Sequence, residues 1–270
     1  MPMSLEIRSP LYEQASLQIP GEVSKLSRSF NGNITSRMGD EYDISENIVD
    51  LLPEGTANIS LAQSTNNFEV TAAAYENVWR KRSLSLLTGE KFPLEKELKI
   101  LTDWLPLHND GLFLDLGCSS GLYARIIKKQ SPESAVIALD FSMPMLRQAR
   151  KNALEHGLDI YLIRADARKM PFYAHTFDGI ACGGTLNELT DPQKVLYEAR
   201  RVLKSDGNFF IMHLLKSESW YKRILQQSTE WSGLTFWTID EVNKLFNTTG
   251  FRVENQSTFG MVCFTHLHPA

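Results

Sequence analysis

The stretch from Leu112 to Ile127 reads as a strand, a turn of small residues and a helix, and this succession limits the fold more than any other part of the chain. Gly111-Leu-Phe-Leu114 is apolar and short and ends at Asp115, which suits a strand buried within a sheet. Gly117 and Gly121 flank Cys118-Ser-Ser120, and Leu122, Tyr123, Ile126 and Ile127 then recur at helical spacing. A glycine turn lets a ligand come against bare backbone. The helix that opens there points unpaired N–H groups at the same place. Asp115 puts a carboxylate beside the turn, which suits a ligand carrying an ammonium group better than a pyrophosphate.

The pattern then repeats. Ala135-Val-Ile-Ala-Leu-Asp140 is a second strand ending in an acid, about 20 residues past Gly121, where a carboxylate accepts both hydroxyls of a ribose. Ser142 caps a helix of Met145, Leu146, Ala149, Ala153 and Leu154, closed by Gly157. A third strand, Ile160 to Ala165, leads into Asp166-Ala167, and a fourth spans Thr176-Phe-Asp178 to Gly183. Asp191-Pro192 opens an amphipathic helix with Val195, Leu196, Ala199, Val202 and Leu203 on one face. Asn208 to His213 forms a fifth strand. Thr238-x-x-Glu241 is a capping box before another helix, and two closing strands, Phe251 to Thr258 and Met261 to His266, end the chain.

Asp115-Leu-Gly117-Cys-Ser-Ser-Gly121 resembles the first motif of class I S-adenosylmethionine (SAM) dependent methyltransferases, with Ser119 in place of its middle glycine. Leu139 to Leu146 is similar to the second motif, and Asp166-Ala167 resembles the pair that reads the adenine edge. The resemblance implies an α/β, doubly wound Rossmann-like fold. It would have a seven-stranded, mostly parallel sheet whose last strand is antiparallel. It also implies SAM as cofactor, contacted by Asp115, Gly117, Cys118, Ser119, Gly121, Asp140, Phe141, Asp166, Ala167 and Gly183. Phe141 would lie against the adenine face. Asp178 belongs to the pattern as a structural residue. The turn could be altered at Ser119, because serine tolerates positive φ less well than glycine.

An in-line methyl transfer asks the protein for alignment and for exclusion of water. It asks for a base only when the acceptor is protonated. Glu188, in Asn187-Glu188, fits either a base or a solvated loop acid. His213 fits either a proton-handling group or a structural one. Tyr75 resembles the aromatic that closes over the cofactor in this family, with Trp79 and Arg82 nearby; helix packing explains it as well. The catalytic assignment therefore stays open.

The pattern is most similar to the ubiquinone and menaquinone biosynthesis-like group. The aromatic-rich segment Trp220-Tyr221, Trp231, Phe236-Trp237 fits a small apolar or aromatic acceptor: a quinone, a lipid or a phenol. Two other readings stand beside it. One is a non-catalytic SAM-binding partner protein. The other is an NAD-type dehydrogenase, which the Ser119 and Leu122 positions disfavour because its fingerprint needs glycine there.

Residues 1–65 are expected to form an extension, either a small β-rich domain or a mostly irregular arm, and residues 66–270 the methyltransferase domain with helical cap elements. A weaker resemblance links Asp40-Glu-Tyr-Asp43 and Asp50-Leu-Leu52 to the zinc-ribbon-like piece preceding some plastid and cyanobacterial members. No cysteine precedes Cys118, so no metal is expected there. Leu94, Leu98, Leu101 and Leu105 predict a helix ending at Pro106. A net charge of −4 without a dense Lys/Arg stripe argues against nucleic acid. Three widely spaced cysteines, no leader-like run and no span-length apolar stretch point to a soluble, cytoplasmic protein of unassigned oligomeric state.

Overall fold

The computed structural model describes residues 4–12, 14–52, 85, 87–217, 219, 223, 226 and 233–270. Tyr75, Trp79, Arg82, Trp220, Tyr221 and Trp231 lie outside the described residues.

Five short strands precede the core: β1 (Leu5–Arg8), β2 (Ser16–Ile19), β3 (Gly32–Thr35), β4 (Glu41–Ser45) and β5 (Ile48–Asp50). Helix α1 (Leu94–Trp104) follows. The alternating core is then β6 (Leu112–Leu116), α2 (Leu122–Gln130), β7 (Ala135–Asp140), α3 (Met143–Glu155), β8 (Tyr161–Arg164), β9 (Phe177–Gly183), α4 (Pro192–Val202) and β10 (Leu203–Leu214). The described part closes with α5 (Ile239–Thr248), β11 (Phe251–Phe259) and β12 (Val262–Pro269).

The main sheet runs β11-β12-β10-β9-β6-β7-β8-β5-β4-β3. From β10 through β9, β6, β7 and β8 to β5 every pairing is parallel, whereas β12 inserts antiparallel between β10 and β11. The strand order reverses at β6, with β7 on one side and β9 on the other. In open α/β sheets a ligand crevice lies at the carboxyl ends of strands at such a point.

The sheet is wider than the seven strands expected. Ile48 and Val49 are buried and pair with Leu162 and Ile163 of β8, so β5 carries the sheet on to β4 and β3. A three-residue strand is a weak sequence signal, because its stability comes from the partner edge rather than from its own pattern. β1 and β2 form a separate antiparallel pair. This pair docks through the Arg8 amide, which donates to the Pro171 carbonyl at 2.9 Å.

The core strands read as continuous apolar runs because helices or loops cover both sides. Ile137, Phe113 and Ile180 are fully buried. Truncating such a residue to alanine costs about 2–5 kcal/mol. Asp178 closes the edge opposite the crevice, its carboxylate accepting the Leu112 amide at 2.9 Å and the Lys204 ammonium at 2.6 Å.

The helix caps form where the sequence puts them. Ser142 Oγ accepts the Met145 amide, Asp191 Oδ1 accepts the Lys194 amide at 3.0 Å, and Thr238 with Glu241 completes the capping box. The Tyr123 hydroxyl of α2 donates to the Glu97 carboxylate, tying α1 to the core.

Candidate functional site

The carboxyl ends of β6, β7, β8 and β9 open on one cleft. Gly117 and Ser119 stand after β6, Asp140 ends β7 and Phe141 follows it, Asp166 and Ala167 stand after β8, and Gly183 ends β9; all seven line the cleft. Glu188 forms part of its wall, in a short 3-10 turn (Thr185–Glu188).

The turn after β6 is built from three left-handed residues. Gly117 (φ 67°) and Gly121 (φ 76°) adopt this conformation freely, and Ser119 (φ 49°) takes it as well. For a residue with a Cβ the left-handed conformation costs roughly 1–2 kcal/mol. Two contacts hold Ser119 there. Its amide donates to Asp140 Oδ2 at 2.8 Å, and its hydroxyl lies 3.5 Å from Met145 Sδ. The turn therefore keeps its course despite the missing glycine. At Gly117 the left-handed backbone is matched by a lack of room, since a Cβ there would lie 2.3 Å from Thr185 Oγ1. That hydroxyl donates to the Gly117 carbonyl at 3.1 Å.

Asp140 is held by two amides, Ser119 on Oδ2 and Ser142 on Oδ1, both at 2.8 Å. Burial raises its pKa, and these amides pull the other way; the net shift is upward. A carboxylate offers about four lone-pair sites, so each oxygen keeps capacity for a further donor. Asp166 is bound differently. The Arg168 guanidinium spans its two oxygens at 2.6–3.0 Å, and the Arg168 amide adds a bond of 2.8 Å. Burial raises the Asp166 pKa, the Arg168 bonds outweigh that, and the net shift is downward.

Glu188 is pushed up to about 7, first by burial and then by the neighbouring charge of Asp140. Its neighbour Asn187 serves the scaffold. The Asn187 amide group donates to the carbonyls of Leu214 and Thr235, and its oxygen accepts the Leu214 amide.

Four expected site residues stand away from the cleft lining. Asp115 is buried, and its Oδ2 accepts the Ala124 amide at 2.8 Å, capping the first turn of α2. Cys118 points into the core, where burial, then Asp140 and Asp115, push its thiol well up. Gly121 is needed for its left-handed φ and because α3 passes so close that a Cβ would lie 3.0 Å from the Ala149 Cβ. His213 is fully buried between β10 and α5, with Nε2 3.1 Å from Thr265 Oγ1 and its ring edge-on to Phe246. Burial lowers its pKa to about 3, so the ring is neutral.

Residues the sequence reading passed over include Arg168 and Thr185. An Asp-x-Arg spacing at a strand end is the signal that marks Arg168. Thr185 carried none, because its role depends on packing against Gly117 from 68 residues away.

Residues 114–211 match the family described as "Methyltransferase domain". This part of the chain is a methyltransferase domain. Its cofactor is S-adenosylmethionine. The cleft fits that group: the glycine turn at Gly117 lines it, two acids stand at neighbouring strand tips, and Phe141 lines it beside them.

A chloroplastic methyltransferase of Arabidopsis thaliana, named as uncharacterized, is 33% identical over 50% of this chain and 39% of its own length. The demethylmenaquinone methyltransferase of Thermus thermophilus is 31% identical over 50% of this chain and 53% of its own. The chain thus spans about half the length of the curated relatives it matches. The methyltransferase domain also has the fold of solved structures. A SAM dependent methyltransferase from Aquifex aeolicus superposes with a TM-score of 0.53 at 23% identity, over 63% of this chain and 87% of that one. The methyltransferase from Haloferax volcanii solved with the activator Trm112 gives 0.60 at 18%, over 76% and 96%.

Among the described residues there is no helix long and apolar enough to cross a membrane, and no group of three or more His, Cys, Asp or Glu arranged to hold a metal.

Proposed function

We propose that this chain transfers the methyl group of SAM to a small, apolar or aromatic acceptor of quinone, lipid or phenol type. The observation that carries the reading is the convergence of Asp140, Phe141, Asp166 and Glu188 on one cleft beside the Gly117 turn. The bound cofactor supplies a methyl group made electrophilic by its sulfonium. The protein's task is alignment and the handling of any proton on the acceptor.

Asp140 would hold the ribose through the lone pairs left by the Ser119 and Ser142 amides. Phe141 would lie along the adenine. Leu139, Met145, Leu189 and Val195 give the cleft an apolar wall that limits water. Glu188 lines the cleft with its pKa pushed up to about 7. As a carboxylate it would take the proton of an acceptor hydroxyl while the methyl group moves to the acceptor.

The relatives named for quinone biosynthesis support an acceptor of this class. Incubating the protein with methyl-labelled SAM and a metabolite extract tests the proposal. A labelled apolar product, seen by mass spectrometry, is expected. Failure to bind SAM in calorimetry at high micromolar concentration, with folded protein, refutes it. Binding without turnover would favour a non-catalytic SAM-binding partner instead.

A further inference from the structure

Three side chains stand in one row across the crevice end of the sheet. Arg164 of β8 is in register with Asp140 of β7 on one side and with Asp50 of β5 on the other. A guanidinium between two carboxylates has a choice, and here it is made. Arg164 Nη1 lies 2.8 Å from Asp50 Oδ2, and Nε donates to the Phe141 carbonyl at 3.0 Å. The guanidinium carbon sits 6.0 Å from the centre of the Phe141 ring. Asp140, by contrast, takes its hydrogen bonds from backbone amides, and Arg164 is not among the groups that shift its titration.

We infer that Asp50, from the strand that precedes the methyltransferase domain, is a positioning residue for the nucleoside end of the cleft. It anchors Arg164 on the side away from Asp140. The Asp140 carboxylate thereby stays open to ribose hydroxyls, and the Phe141 backbone is pinned beside the cleft that this residue lines. Arg164 can do both because its planar fork presents separate N–H groups in fixed directions, which a lysine lacks. The inference deepens the proposed function and rests on its placing of the nucleoside.

The pair is about a quarter exposed on each side chain, so its own contribution to folding is modest. Its effect is to be read in ligand affinity. The test is calorimetric titration of the full chain with SAM and with S-adenosylhomocysteine, alongside thermal unfolding. Asp50→Asn is expected to weaken both ligands by the same factor, roughly three- to tenfold, at a temperature where the protein is folded. Arg164→Lys should do likewise. Asp50→Glu, which keeps the carboxylate, should retain most of the affinity. The double variant Asp50→Asn/Arg164→Lys should lose little beyond the worse single one.

Folded Asp50→Asn and Arg164→Lys proteins that bind as tightly as the wild type would overturn the inference while leaving the proposed function intact. So would additive losses in the double variant. A wild type that binds neither ligand would instead refute the proposed function, and this inference with it.

Discussion

The Ser119 amide donates to Asp140 Oδ2 at 2.8 Å, joining the turn after β6 to the acidic tip of β7. The bond explains how a serine is kept in a left-handed conformation, and it fixes one oxygen of the carboxylate that faces the cleft. Turn and acid thus form one unit, and changes to either should be felt at the other.

Replacing Asp140 by alanine should weaken SAM binding by roughly a hundredfold to ten-thousandfold, since two hydrogen bonds to a charged group at about 1.5–3 kcal/mol each would be lost. Calorimetry on the folded variant is the check. Affinity equal to that of the wild type would mean the nucleoside lies elsewhere.

Ser119→Gly should relieve the left-handed strain while adding freedom to the unfolded chain. The two effects, about 1–2 kcal/mol and about 0.4–1 kcal/mol, leave a small net gain. The melting temperature should hold or rise slightly, with SAM affinity retained. A clear fall would show that the serine hydroxyl matters more than its backbone.

Gly117→Ala has no such relief. The added methyl would meet Thr185 Oγ1 at 2.3 Å in a backbone conformation that disfavours any Cβ. A loss of about 1–3 kcal/mol is expected in denaturant unfolding, together with weaker cofactor binding. A variant as stable as the wild type would show that Thr185 can withdraw at no cost.

Glu188 gives a pH signature of known sign. Its folded pKa of about 7 stands above the ordinary 4.5, so the fold favours the protonated acid. The stability this confers is fully present below pH 4.5 and is lost as pH rises through 7. Glu188→Gln should flatten that decline, worth on the order of 2 kcal/mol for a group only partly screened from water. The same change should remove any rise in methyl transfer through pH 7 for acceptors that must lose a proton. A pH–stability curve unaltered by the substitution would argue against a buried, charge-coupled carboxyl.

His213 has the opposite sign. Its folded pKa of about 3 lies below the ordinary 6.5, so the neutral ring contributes stability above pH 6.5 that is lost as pH falls toward 3. His213→Phe should move the acid-unfolding midpoint, followed by circular dichroism, to lower pH. Its SAM affinity at neutral pH should be that of the wild type. A large loss of SAM affinity would return His213 to the site.

Much of the core was legible because its signals are local. Asp115, Gly117, Asp140 and Asp166 each sit where a strand period stops and a turn begins, and Ser142, Asp191 and Thr238 cap helices by contacts within three residues. The fate of a side chain after the strand end was less legible. Asp115 and Asp140 look equivalent in sequence, but one turns inward to an α2 amide and the other faces the cleft. His213 lies on a strand whose two sides differ only by what packs against them, and α5 arrives from later in the chain. Asp50 had no legible role, since its partner Arg164 is 114 residues away.

Pairing β5 with β8 also settles where the sheet ends. Without residues 30–50, the backbone N–H and C=O groups of Tyr161–Arg164 would form a bare border, a template on which further chains could stack. The three short strands cover that border and leave the four-residue β3 as the outer edge on this side. Because Ile48 pairs with Leu162 from 114 residues away, closing that border is expected to be a slow step of folding.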